Sequence, residues 1–129
     1  MRRNEYTKLI RALGVPVGGK MERGEYAQMI AEFGAPPKAG DLDFAPALDD
    51  WSAGLAIGNF YNIDGVVSGH PILEDGQIIF TSPLLNLCEN LTWARTRSRF
   101  YVLGPTTKKH AAVAQTVRLE LQIIKPLHW

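Results

Sequence analysis

The strongest chemical signal in the sequence lies in the segment Trp93-Ala94-Arg95-Thr96-Arg97-Ser98-Arg99-Phe100-Tyr101. Read as a strand, its alternation sets Trp93, Arg95, Arg97, Arg99 and Tyr101 on one face and Ala94, Thr96, Ser98 and Phe100 on the other. Guanidiniums on every second residue stand about 6.6 to 7 Å apart. That spacing suits nucleic-acid phosphates and equally the carboxylates of an acidic protein surface, because each guanidinium offers a planar fork of N–H donors. No acidic residue falls between Glu89 and Glu120, whereas Arg95, Arg97, Arg99, Lys108, Lys109 and Arg118 all do, so Lys108 and Lys109 extend the same cationic region. The plainer reading of such a face is a charged strand edge that keeps the protein in solution.

Other residue sets promise less. Gly14-Val15-Pro16-Val17-Gly18-Gly19-Lys20 satisfies G-x-x-x-x-G-K, the opening of a loop whose backbone amides cradle phosphate. Met21 follows where a Ser or Thr hydroxyl would hold magnesium, and the loop follows a helical pattern instead of a strand. The same stretch looks superficially like the helix, loop, helix of SAP-type DNA-binding motifs, although its second helix starts several residues late. His70, His110 and His128 are scattered without carboxylates at ligand spacing, and a zinc or iron site needs several convergent donors, so no metal is expected. His70 sits in a Ser68-Gly69-His70-Pro71 bend, and Cys88 lies among Leu84, Leu85 and Leu87 as a buried, inert thiol would. Asp41, Asp43, Asp49 and Asp50 do not have EF-hand spacing and read as a solvated acidic linker. With no base and nucleophile pair in view, the sequence reads as that of a binding protein, with no cofactor and no catalytic residue.

The elements that must position these residues change character along the chain. Arg3, Glu5, Tyr6, Ile10, Gly14 and Pro16 recur twenty positions later as Arg23, Glu25, Tyr26, Ile30, Gly34 and Pro36. Tyr6, Leu9, Ile10 and Leu13, and again Tyr26, Met29, Ile30 and Phe33, fall at i, i+3, i+4 and i+7, which predicts two short helices with one apolar stripe each. Gly14 and Gly34 are placed to end them in the left-handed conformation, and Pro16 and Pro36 prevent continuation. Residues 1–36 therefore read as a helical hairpin, and residues 37–50, rich in Pro and Asp, as a linker.

From Trp51 onward the pattern is β. Short runs over 55–61, 66–73, 78–81, 84–88 and 91–103 alternate with turn residues, and Asp64-Gly65 and Asp75-Gly76 are the strongest hairpin signals. A twisted antiparallel meander follows, curled or not into a small barrel. Residues 107–124 fit a helix through Val113, Val117, Leu121 and Ile124, and a strand through Val117, Leu119, Leu121 and Ile123; the helix is preferred. The expectation is an α+β protein with a β-rich domain over 51–129.

The 129 residues and 46% hydrophobic content fit one core, and no apolar run approaches the roughly 18 residues of a membrane span. A single cysteine leaves no internal disulfide. Together with an N-terminus that runs directly into an amphipathic pattern, this predicts a cytoplasmic protein.

Gly69-His70-Pro71, Asp75-Gly76, Ile79, Thr81-Ser82-Pro83, Ala94-Arg95-Thr96-Arg97-Ser98-Arg99, Tyr101 and Leu103-Gly104 resemble a family of short bacterial and phage-type proteins of unknown function. That family's pattern runs GHP, DG, I-x-TSP, ARTRS-x-Y-x-LG. The resemblance spans about 36 residues from Gly69 to Gly104 and carries no activity with it. What it implies is a small accessory protein of the kind carried on mobile elements, many of which inhibit or regulate host nucleic-acid machinery, anti-CRISPR proteins among them. Two partners are therefore expected in turn: a protein of a nucleic-acid-handling complex, or nucleic acid itself, bound through Trp93, Arg95, Arg97, Arg99 and Tyr101 with Lys108 and Lys109. A third reading, an enzyme with an atypical site around His70, has no partner residue to support it.

Overall fold

The computed structural model describes residues 21–56 and 58–124. The first helix of the expected hairpin, the Gly14 to Lys20 loop and His128 lie outside the described residues. The second helix is present as α1, Arg23–Phe33, and is followed by six strands and a long helix. The strands are β1 (Ala47–Leu55), β2 (Tyr61–Ser68), β3 (Ile78–Phe80), β4 (Leu84–Leu87), β5 (Trp93–Thr96) and β6 (Phe100–Leu103), and the last helix is α2, Lys108–Ile124. The protein is α+β, as its pattern predicts. No helix among the described residues is long and apolar enough to cross a membrane.

The strands form one sheet in the order β3-β2-β1-β6-β5-β4. Two antiparallel meanders, β1-β2-β3 and β4-β5-β6, meet through a parallel pair, Ala47 with Val102 and Leu48 with Leu103. This corrects the expectation of a single antiparallel meander, since local hairpin signals carry no information about which distant strands meet. Strands β3 and β4 lie at opposite edges of the sheet, yet only residues 81–83 separate them. At roughly 3.3 to 3.6 Å of reach per residue the edges must approach each other, and the open sheet curls around its core. Thr81 seals the join, accepting a hydrogen bond from Ile63 N at 3.1 Å through its hydroxyl while its own N–H donates to Ile63 O at 2.9 Å.

The turn chemistry differs from expectation at two places. The first hairpin turns at Gly58 (φ 108) and Asn59 (φ 62), with Ala56 N donating to Phe60 O at 2.7 Å, so the run 55–61 is the connection between β1 and β2 and not a strand. Asp64-Gly65 lies within β2, paired with Ser52 and Ala53 at one end and with Phe80 and Ile79 on the other side. The glycine is needed there for close approach: a Cβ on Gly65 would fall 3.0 Å from both Trp51 Cβ and Asp49 O. Asp75-Gly76 does form the β2–β3 turn, with Gly76 at φ 89 and Gln77 N donating to Glu74 O at 3.4 Å. Positive φ at the third residue only is the requirement of a type II turn.

A bulge in β1 lets the chain bury residues of both parities. Asp49 pairs with Val66 and Ser52 with Asp64, three steps on one strand against two on the other, and Asp50 takes φ 48. The extra residue reverses the alternation, so Leu48 and Trp51, both fully buried, face the same core. Strand β1 also begins at Ala47, inside the stretch 37–50 that composition marks as a linker, and Pro46 accepts a hydrogen bond from Val102 N at 2.9 Å.

Helix α1 docks on the sheet through Tyr26 and Ile30, both buried. The Tyr26 hydroxyl donates to Leu84 O and accepts from Tyr61 N at 3.2 Å, which fixes the helix across two strands. Burial raises the Tyr26 pKa far above the usual tyrosine value, the hydrogen bond from Tyr61 opposing. Gly34 ends the helix at φ −88, not in the expected left-handed conformation. A Cβ there would fall 2.5 Å from Ile30 O, so contact, not dihedral freedom, explains the glycine. Ile30→Ala is expected to cost about 2 to 5 kcal/mol of unfolding free energy by urea titration, because Ile30 is buried between helix and sheet; a midpoint equal to wild type would mean the helix is only loosely docked.

Helix α2 resolves the ambiguous tail. Thr107 Oγ1 accepts from His110 N at 3.1 Å as an N-terminal cap, and Ala114, Val117, Leu121 and Ile124 are buried. Val113 is exposed, with Ala114 in its place on the packed stripe. The helix lies on β1 and β4 and covers the side of the curled sheet where Trp51 sits.

Candidate anion cleft at the β5–β6 turn

The expected strand over 91–103 is two strands with a tight turn at residues 97–99. Thr96 makes the turn: its N–H donates to Arg99 O at 2.9 Å, its hydroxyl donates to the same carbonyl at 3.1 Å, and that hydroxyl accepts from Arg99 N at 3.3 Å. Arg97 N donates to Pro83 O at 2.8 Å and Ser98 N to Ser82 Oγ at 3.2 Å, pinning the turn to the residues that join β3 and β4. With neither Gly nor Pro in Arg95 to Tyr101, nothing in the local sequence marks this reversal.

The reversal dismantles the predicted ladder. Trp93 opposes Val102, Ala94 opposes Tyr101 and Arg95 opposes Phe100. Trp93 and Arg95 therefore share a half-buried face with Phe100 and Val102, while Ala94, Thr96 and Tyr101 are fully buried on the other. Tyr101 thus leaves the face to which simple alternation assigned it. Trp93 packs edge-on against Phe100 at 6.0 Å between ring centroids. Arg95 lies over the Phe100 ring at 4.8 Å, and Arg97, exposed at the tip, lies over the Phe33 ring at 4.1 Å. Lys108 and Lys109 are exposed on the first turn of α2. Arg99 precedes β6 and these lysines follow it, so a four-residue strand, about 13 Å long at 3.3 Å per residue, separates the two charge groups.

Arg95 and Arg99 converge on one cleft of about 370 Å³, whose walls include Asp41, Phe44, Gly69 and Phe100. The Nε atoms of both arginines are buried and have no hydrogen-bond partner. Two further buried atoms share that condition, His70 Nε2 and the Tyr101 hydroxyl, and the two rings lie 6.4 Å apart. His70 stands between wall residues Gly69 and Pro71, and Tyr101 follows Phe100. His70 Nδ1 accepts hydrogen bonds from Ile72 N at 3.0 Å and Leu73 N at 3.1 Å, so the ring proton of the neutral imidazole sits on Nε2. All four unpartnered groups are consequently donors.

The electrostatics agree with a desolvated cationic pocket. Burial holds the His70 pKa below the usual histidine value, and the Arg99 charge lowers it further. Arg95 is lowered by burial and by Arg97, with Asp41 opposing. Burial pushes Tyr101 up to about 12, Arg99 acting in the other direction. Native His70 is neutral, and its protonation would break two backbone hydrogen bonds at Nδ1. Its contribution to stability is therefore present above the unfolded-state pKa near 6.5 and falls as pH drops toward the lower native pKa. Unfolding free energy is expected to decline from about pH 6.5 downward, and His70→Asn, which keeps an acceptor near Nδ1, should flatten that slope. An unchanged slope in the variant would assign the acid sensitivity to another group.

Sequence reasoning singled out the arginines and treated His70 as a bend residue. It missed Asp41, Phe44 and the neighbourhood of His70 with Tyr101, because residues 41, 70 and 95–101 are joined only by the parallel β1–β6 pair and the β2–β3 loop. The GHP bend and the ARTRS run were separately visible. Nothing local ties them together.

The model of one protein family, described as a family of unknown function (DUF6634), matches residues 20–120 of the chain. No curated protein and no solved structure matches it.

Proposed function

The chain belongs to the DUF6634 family, and we propose that it is a non-catalytic binding protein whose arginine hairpin holds an acidic surface of a protein in a nucleic-acid-handling complex, in the manner of an anti-CRISPR inhibitor. One observation carries the choice of an acidic protein over a nucleic-acid strand: Arg95 and Arg99 turn into a single cleft instead of lining up along an edge. A polyanion backbone is best met by a row of cations that matches its repeating charge. A cleft with two guanidiniums and an aromatic wall is better suited to one or two carboxylates presented by a folded surface. Phe44, 93% exposed on the rim, and Phe33, beneath Arg97, supply apolar contact around the charged centre. The inhibitory role is supported by the resemblance to short bacterial and phage-type proteins, and it places the activity in the cytoplasm.

The test has two arms. Tagged protein is used to capture partners from a lysate of the source organism with and without nuclease, and direct binding to single- and double-stranded DNA and RNA is measured by anisotropy over a range of salt. Capture that survives nuclease, with no nucleic-acid binding at micromolar concentration, is the expected outcome. Micromolar binding to free nucleic acid, with a log–log salt slope near −0.7 to −0.9 per phosphate contacted, would replace this reading with a direct nucleic-acid-binding regulator.

A further inference from the structure

We infer that the cleft between the β5–β6 turn and residues 41–46 is a built site for one carboxylate, the side-chain acid of a partner, gripped by Arg95 and Arg99. The inference rests on the reading of the hairpin as a protein-binding surface and names the group it recognises.

The first argument is the kind of unsatisfied hydrogen-bonding capacity present. Arg95 Nε, Arg99 Nε, His70 Nε2 and the Tyr101 hydroxyl are all buried without partners. Buried polar groups are almost always paired, and each exception calls for an explanation. Here all four are donors, in one neighbourhood: Arg99 acts electrostatically on both His70 and Tyr101, and the two rings are 6.4 Å apart. A group that satisfies clustered donors must be rich in acceptors. A carboxylate, with two oxygens and about four lone-pair sites, can accept from both guanidiniums at once.

The second argument is charge. Arg95 and Arg99 bring two positive charges to the cleft, Asp41 on its wall brings one negative, and His70 is neutral because its Nδ1 accepts two backbone N–H groups. Arg97 is drawn aside over the Phe33 ring. The remaining single positive charge matches a monoanion. A phosphate monoester, close to doubly charged at neutral pH, would leave the cleft with excess negative charge.

The third argument concerns why Asp41 does not already fill the role. Its Oδ2 accepts from Lys38 N at 2.7 Å in the turn that begins the 38–44 segment, so this carboxylate is committed locally. It remains near enough to raise the Arg95 pKa, but both Nε atoms are still without an acceptor.

The test uses the full chain labelled with ¹⁵N and follows the Nε–H signals of Arg95 and Arg99 and the Nε2–H signal of His70. Three probes are compared at constant ionic strength: N-acetyl-glutamate α-amide with its single side-chain carboxylate, the neutral glutamine counterpart, and inorganic phosphate. The glutamate probe is expected to shift these signals at millimolar concentration, and the glutamine probe to leave them unmoved. Arg99→Gln should weaken glutamate binding at least tenfold. Tyr101→Phe, which keeps the ring and removes only the hydroxyl, should weaken it by a smaller factor while leaving the melting temperature near wild type. Signals unmoved by the glutamate probe, or phosphate binding more tightly than glutamate, would overturn the assignment. If the glutamate probe fails while nuclease-resistant capture still depends on the arginines, only the carboxylate site falls. If the probe binds but capture ignores the arginines, the site stands and the proposed function falls.

Discussion

Replacement of Arg95, Arg97 and Arg99 together by alanine is expected to weaken partner capture at least tenfold, about 1.4 kcal/mol, while the melting temperature stays within a few degrees of wild type or rises. The combination follows from how these side chains are held. The Nε atoms of Arg95 and Arg99 are buried without acceptors, and such a group costs about 1 to 3 kcal/mol of desolvation in the free protein. Removing both relieves that cost. Against it stand two cation–π contacts, Arg95 over Phe100 and Arg97 over Phe33, each worth about 0.5 to 1 kcal/mol at exposed sites. The backbone of the turn is held by Thr96, Pro83 and Ser82, none of which is altered. The two contributions nearly cancel, so a folded variant that no longer binds is the expected product. Thermal melting and quantitative capture decide it. A drop of ten degrees or more would make the arginines structural, and unweakened capture would reduce the hairpin to a solubilising edge.

Trp51→Ala is expected to destabilise the protein by about 3 to 5 kcal/mol, a third or more of the roughly 5 to 15 kcal/mol that holds a domain together. Trp51 is fully buried, and three features converge on it. Its indole N–H donates to Gly104 O at 2.7 Å, its carbonyl accepts from the Thr106 hydroxyl at 2.8 Å, and its Cβ occupies the space left by Gly65. The side chain thereby ties the β1 bulge to the loop that launches α2. Trp51→Phe retains most of the apolar volume and forfeits the indole donor, leaving the Gly104 carbonyl without it, so a cost nearer 1 to 2 kcal/mol is expected. Urea unfolding of the two variants separates packing from hydrogen bonding. If the alanine variant unfolds at the wild-type midpoint, Trp51 is not the anchor described here.

The division between what was legible and what was not follows the range of the interactions involved. Tyr26, Ile30 and the apolar positions around them predict α1 because a helix face is determined by neighbours three and four residues away. Thr107 and the spacing of Val117, Leu121 and Ile124 likewise make α2 the better of two readings. Gly76 marks its turn through a positive φ that few residues other than glycine adopt readily. Strand propensity, by contrast, does not say where a run of extended residues folds back. The stretch Trp93 to Leu103 has strand composition throughout, and its reversal at 97–99 depends on hydrogen bonds to Ser82 and Pro83, some fourteen to sixteen residues away.

Asp64-Gly65 illustrates the same point from the other side. The dipeptide has turn chemistry, yet Gly65 is a strand residue because Trp51 must pack over it. By itself the sequence determined the α+β class, the two described helices, the β2–β3 turn and the concentration of arginine between Glu89 and Glu120. Only the tertiary structure decided that Arg95 and Arg99 face one cleft, that Tyr101 is withdrawn into the core and that His70 and Asp41 join the neighbourhood. The reason is physical: the cleft is assembled from three segments held together by the curl of the sheet and by the pairing of β1 with β6, and long-range pairing leaves no periodic trace in the residues that it brings together.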